Sequence, residues 1–190
     1  DLYEHRTSGS PVVITCGETQ VGKSELVLRM LGIELGPAEA RDLKEALRGG
    51  EKEGHSATSV PTVYRLHDDT QCVVQQSGVE MFRGTDLSSL KQVIGELRAE
   101  QSSDERVTIT LPQKYAQKES LDIDRLHILD LPGYGCDDTV VQKRVEKLLR
   151  KYLPVASTVL IVARGYNWQS ERLPSVVKMV DREPEKFRLV

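Results

Sequence analysis

Apolar residues along this chain follow two rhythms, and their alternation predicts an α/β fold. Val12-Val13-Ile14-Thr15-Cys16 is a short β-branched run that suits a buried strand, and Glu25 to Leu31 suits a helix. Gly36-Pro37 opens a second helical stretch with Ala40, Leu43, Ala46 and Leu47 along one face, and Gly49-Gly50 ends it. Two extended runs, Val60 to Leu66 and Gln71 to Gln76, flank His67-Asp68-Asp69-Thr70 and predict a β-hairpin. Thr85 can cap a helix carrying Leu87, Leu90, Val93, Ile94 and Leu97. Val107 to Leu111 reads as a strand stopped by Pro112, and the polar stretch Gln113 to Asp124 leads on to the apolar run His127 to Leu131. Behind Asp137, Asp138 and Thr139, which suit a helix start, Val141, Val145, Leu148, Leu149 and Tyr152 recur at helical spacing. Ser157 to Ala163 reads as the next strand, with the unbroken apolar run Val159 to Ala163 that central parallel strands show. Leu173, Val176, Val177 and Val180 predict a last helix, and Lys186 to Val190 a last strand. Strands alternating with helices give an open, mostly parallel sheet flanked by helices, with any ligand at the strands' carboxyl ends.

Composition narrows the class. At 190 residues the chain fits one α/β domain with a sizeable core, and 38% hydrophobic with 29% charged residues excludes a disordered chain. A net charge of −3 and a pI near 5.9 argue against a broad nucleic-acid-binding surface. The longest apolar run, Val159 to Ala163, is too short to cross a bilayer, and no signal peptide is visible, so membrane contact would have to come from elsewhere. Cys16, Cys72 and Cys136 share no metal-ligand spacing, which fits a reduced, cytoplasmic compartment. Cys16 is expected to pack as a small hydrophobe. Asp68-Asp69 suits a solvated turn better than a metal site. Residues 1–10 read as a lead-in and 11–190 as one domain. The start at Asp1 without an initiator Met, and the end inside a strand-like run, give the expectation of a piece of something longer.

The chemistry concentrates in two places. Gly17-Glu18-Thr19-Gln20-Val21-Gly22-Lys23-Ser24 reads G-x-x-x-x-G-K-S, a phosphate-binding loop, with the strand before it and the helix after it that the motif requires. Glycines let the backbone curl until successive N–H groups face phosphate oxygens, and the helix adds the positive end of its dipole. Lys23 would reach the outer phosphates and Ser24 would offer its hydroxyl to Mg²⁺. Further on, Asp130-Leu131-Pro132-Gly133 ends an apolar strand with an acid that can hold the metal's water shell and a glycine N–H that can meet the terminal phosphate. The two motifs read as one nucleoside triphosphate site lined by Gly17 to Glu25 and Gly133.

Taken over residues 11–190, the order of these features resembles the GTPase domain of the dynamin superfamily, most of all the bacterial dynamin-like proteins. Ala57-Thr58-Ser59-Val60-Pro61 is similar to that family's first switch and Asp130-Leu131-Pro132-Gly133 to its second. The hairpin, the helix of residues 85–101 and the strand ending at Pro112 look like its insertions. The resemblance implies a P-loop NTPase fold that binds GTP and GDP and hydrolyses GTP. Thr58 would then sit on Mg²⁺ with Ser24 and hold the attacking water, and Asp130 would take the metal's second shell. It also implies nucleotide-dependent homodimerisation and membrane remodelling, with membrane contact through regions outside these residues and a cytoplasmic or peripheral location. Arg164-Gly165-Tyr166-Asn167-Trp168-Gln169 falls where the family's dimer-crossing loop lies, with Asn167 at the position of its acidic residue. Val180-Asp181-Arg182-Glu183-Pro184 is similar to the approach to the guanine-specificity strand.

Two departures from the family stand out. Its animal members carry Gln-Ser where this chain has Thr19-Gln20, and that serine organises water and a charge-compensating monovalent cation. Gln20 would have to orient the water through its amide instead. No Asn/Thr-Lys-x-Asp motif occurs in the 190 residues, so guanine specificity comes from the resemblance alone. A phosphotransferase acting on a small acceptor and a non-hydrolysing, nucleotide-gated scaffold are the competing readings.

Overall fold

Period-2 alternation of buried side chains along the strands fixes which helix covers which side of the sheet. The computed structural model describes residues 10–33, 38–48, 59–99, 104–116, 126–133, 139–163 and 184–190. Its strands are β1 (Val12–Gly17), β2 (Thr62–His67), β3 (Cys72–Gln76), β4 (Val79–Gly84), β5 (Val107–Pro112), β6 (His127–Asp130), β7 (Thr158–Val162) and β8 (Phe187–Leu189). Its helices are α1 (Lys23–Met30), α2 (Ala38–Arg48), α3 (Leu87–Ala99) and α4 (Thr139–Tyr152). All eight strands form one sheet in the order β4-β3-β5-β2-β6-β1-β7-β8.

On one side, Val12, Ile14, Cys16, Leu129, Val159 and Ile161 pack against Val145, Leu148, Leu149 and Tyr152 of α4. On the other, Tyr64, Leu66, Val74, Ile109, Leu111 and Ile128 meet Val27 and Leu28 of α1 and Leu31 just after it, Leu43 and Leu47 of α2, and Leu90, Ile94 and Leu97 of α3. Each fully buried aliphatic side chain contributes about 1.5–3 kcal/mol, so these two layers hold the sheet that carries the site.

The sheet is mixed rather than mostly parallel. β6-β1, β1-β7, β7-β8 and β2-β5 are parallel, whereas β2-β6, β3-β5 and β3-β4 are antiparallel. The expected hairpin between the runs 60–66 and 71–76 does not form, because β5 lies between β2 and β3 and takes the ladder bonds of both. Val107 to Leu111 is apolar enough to be buried among neighbours, whereas the Asp68-Asp69 connection is exposed and passes the sheet's end. Asp69 there accepts from the Thr70 N–H and from Arg83.

The true hairpin joins β3 to β4, a strand the hydrophobic pattern does not reveal. Its two turn residues, Ser77 and Gly78, have φ of 49° and 87°, the paired positive values of a type I′ turn. β4 is an outer strand, with Val79 and Met81 exposed and the register shifted between Val74 and Gln75, so no clean alternation marks it.

Asp86, not Thr85, caps α3. Its carboxylate accepts from the backbone N–H of Ser89 at 2.9 Å and of Ser88 at 3.3 Å, and from the Ser89 hydroxyl at 2.6 Å. These bonds, led by the Ser89 hydroxyl, hold the Asp86 carboxyl below its ordinary pKa. A depressed folded pKa contributes stability that is fully present above the unfolded value of about 3.9 and is lost as pH falls through the folded value. Asp86→Ala is therefore expected to melt below the wild type at pH 7, with the gap closing in acid. Circular dichroism melts at pH 7 and pH 3 check this, and an equal gap at both would refute the charged cap.

The Thr139 start of α4 and its apolar face agree with the sequence pattern. The expected acids Asp137 and Asp138, the helix carrying Leu173 to Val180, Cys136 and the loop Arg164 to Gln169 lie outside the described residues.

Candidate functional site

The parallel pair β6-β1 brings two distant motifs together. Thr15 of β1 stands level with Asp130 of β6, so the chain leaves both strands at the same end of the sheet. β1 passes through residues 18–22 into α1, and β6 passes into Leu131-Pro132-Gly133, anchored by the Leu131 N–H on the Thr15 carbonyl at 3.0 Å. β2, running the other way, begins at this same end, with Thr62 paired to Asp130. Ser59, just before it, donates its hydroxyl to the Arg98 carbonyl at 2.8 Å, which ties the approach to β2 to the end of α3.

Two glycines of the loop are there for different reasons. Gly17 has φ of 152° and lies level with Val162 of β7, so a Cβ would strike the Val162 carbonyl oxygen and lie 3.0 Å from its carbon. Gly22 has φ of 93° with open space around it, so its requirement is backbone conformation alone. Gln20 also takes a positive φ, 59°, and is exposed. Gly22 is the N-cap of α1 and supplies no side-chain bond, so the first-turn N–H groups have no side-chain cap. Such a helix start favours an anion.

Lys23 is buried beneath the loop. Its Nζ donates to the Gly17 carbonyl at 3.2 Å and to the Glu18 carbonyl at 2.6 Å, which holds the ammonium under the curl of the backbone. Burial pushes its pKa below the ordinary lysine value, and the nearby Asp130 carboxylate, with Cys16 and Glu18, works against that shift. An arriving anion would favour the charged form further.

Asp130 is fully buried and held from two elements. The Thr15 hydroxyl donates to its Oδ1 at 2.7 Å, and the Ser24 hydroxyl to its Oδ2 at 3.4 Å. Strand alternation explains the meeting, since Ile14 and Leu129 face α4 and their neighbours Thr15 and Asp130 face α1. Gly133 completes the site from the other motif, because a Cβ there would stand 2.9 Å from Lys23 Nζ, from Thr19 Cα and from Thr19 Cγ2.

The remaining residues of the two motifs fall into place around this centre. Thr19 and Val21 line the half-buried curl, and Ser24 opens α1 beside Asp130. The Glu25 carboxylate turns away, pairing with Lys44 of α2 at 3.1 Å and with Arg29 at 3.0 Å, so only its backbone can serve the loop. Cys16 is fully buried, and desolvation raises its thiol to about 12, which fits a packed hydrophobe. Thr58 lies outside the described residues. Thr15 is the participant the sequence reading passed over, and its signal was a lone hydroxyl in an otherwise apolar strand.

No family model matches the chain, and no curated protein matches it.

Proposed function

We propose that this chain is a GTP-binding and GTP-hydrolysing domain with a P-loop NTPase fold, resembling the dynamin-like proteins. The observation that carries the reading is the convergence of Lys23 Nζ, the Ser24 hydroxyl, the Asp130 carboxylate and the Gly133 backbone at the carboxyl ends of adjacent parallel strands. A phosphate-binding loop alone is common to many enzymes, but a loop whose lysine ammonium lies 2.9 Å from where a Cβ on the D-x-P-G glycine would fall would read the terminal phosphate from both sides.

The donor set fits Mg²⁺. Ser24 and Asp130 are hard oxygen ligands on adjoining elements, and among the described residues no cluster of three or more His, Cys, Asp or Glu could hold a metal without help from a ligand. Mg²⁺ characteristically takes one or two protein oxygens and completes its shell with phosphates and water. Ser24 would hold it directly and Asp130 through water, and when bound it supplies neutralisation of charge on the outer phosphates. Thr58 would complete this set on the strength of the family resemblance.

The chain's own groups account for the rest. The curl from Gly17 to Ser24 presents N–H groups to the phosphates, Lys23 neutralises their outer charge from below, and the Gly133 N–H meets the terminal one. Gln20, exposed in the loop, would orient water by its amide. Dimerisation through this domain, and action at a membrane through other regions, extend the same reading. Among the described residues no helix is long and apolar enough to cross a membrane.

Release of inorganic phosphate from GTP with Mg²⁺ tests hydrolysis, and transfer to an added acceptor in place of water would instead indicate a phosphotransferase. Because no base-reading motif occurs in the 190 residues, they are expected to bind GTP with little preference over ATP. Competition between the two nucleotides measures this, and strong guanine selectivity would place the base site within these residues.

A further inference from the structure

Resting on the triphosphate reading above, we infer that Thr15 is a positioning residue for the metal, acting through Asp130. The hydroxyl and the carboxylate lie 2.7 Å apart, both side chains are fully buried, and strand register sets them level on neighbouring strands. A hydroxyl-to-carboxylate bond of this length is charge-assisted and strong. It fixes one carboxylate oxygen, Oδ1, and so sets the rotation that presents the other, Oδ2, toward Ser24. Without it the carboxylate would lose the partner that selects its orientation.

The arrangement is specific to the β1 side of Asp130. Thr62, on the opposite neighbour of β6, is also buried and level with Asp130, yet its hydroxyl donates to the Val60 carbonyl at 3.0 Å. Of the two flanking threonines, Thr15 is the one bonded to the acid. Losing a hydrogen-bond partner that orients a metal-ligating group typically changes metal affinity about 10–100-fold, and because Asp130 would act through water the lower end of that range applies to Thr15.

The test compares Thr15→Val, which keeps the branched shape and removes the hydroxyl, with Thr15→Ser, which keeps the hydroxyl. Binding of a slowly hydrolysed, fluorescent GTP analogue is titrated against Mg²⁺ in the full chain, and melting curves without Mg²⁺ are recorded beside it. Thr15→Val is expected to need about tenfold more Mg²⁺ for half-maximal binding. Its affinity in EDTA should stay near wild type, and Thr15→Ser should restore the Mg²⁺ requirement. A Mg²⁺ requirement within about twofold of wild type for Thr15→Val overturns the inference, as does a serine variant that fails to restore it. If the valine variant does not fold, Thr15→Ala against Thr15→Ser isolates the same hydroxyl. Wild type that binds no analogue at any Mg²⁺ concentration overturns the triphosphate reading itself, whereas wild type that binds with Mg²⁺ while Thr15→Val matches it overturns the Thr15 role alone.

Discussion

Replacing Lys23 by alanine is expected to weaken triphosphate binding by about 2 kcal/mol or more, roughly thirtyfold, on the scale of hydrogen bonds to charged groups. The ammonium is held under the loop by the Gly17 and Glu18 carbonyls, and burial already makes its charge costly without an anion. Loss of this group removes the neutralising charge and leaves two carbonyls without their donor. The apo protein should change far less, because the cost of burying the charge disappears together with its hydrogen bonds. Titration calorimetry of both proteins with Mg²⁺ and a GTP analogue measures the difference, and equal affinities would exclude Lys23 from the site.

Gly17→Ala should have the largest effect on stability. The added methyl would meet the Val162 carbonyl in the neighbouring strand, at a residue whose φ of 152° already suits glycine. Neither obstacle can rotate away, since both are backbone. Overpacking and backbone strain together cost about 3 kcal/mol or more, which lowers the melting temperature by about 6–12 °C in a domain of this size. Gly22→Ala, with open space but φ of 93°, should cost less, because it meets strain without collision. A melting temperature for Gly17→Ala within about 2 °C of wild type would show that β1 and β7 separate more easily at this end than the register implies.

Much of the fold was legible where a local rule and the tertiary structure agree. β1, β7 and the apolar face of α4 follow from continuous or helically spaced apolar residues, because each is packed on the sides that its pattern marks. The pairing of β2 with β5 was not legible, because an inserted strand leaves no trace in the two segments it separates. β4 escaped because an outer strand with Val79 and Met81 exposed has no buried side to imprint a period. The cap of α3 was misplaced by one residue, as Thr85 and Asp86 are both able to cap and only geometry chooses between them.

The candidate site divides in the same way. Lys23, Ser24, Asp130 and Gly133 announced themselves through motif spacing, since the chemistry demands those residue types in that order. Thr15 did not, because a buried threonine in a strand satisfies propensity whether or not its hydroxyl has a task. The steric need for Gly17 likewise lies in β7, more than a hundred residues away in sequence, and could be read only once the sheet was assembled.

Amide chemical-shift mapping tests most directly whether one triphosphate site spans both motifs. Adding a slowly hydrolysed GTP analogue with Mg²⁺ to the isotope-labelled chain is predicted to move the amides of Gly17 to Glu25 and of Gly133 most, while the β3-β4 hairpin stays unchanged. Saturating nucleotide that leaves the Gly17 to Glu25 amides in place, or shifts them without moving Gly133, would contradict a single site.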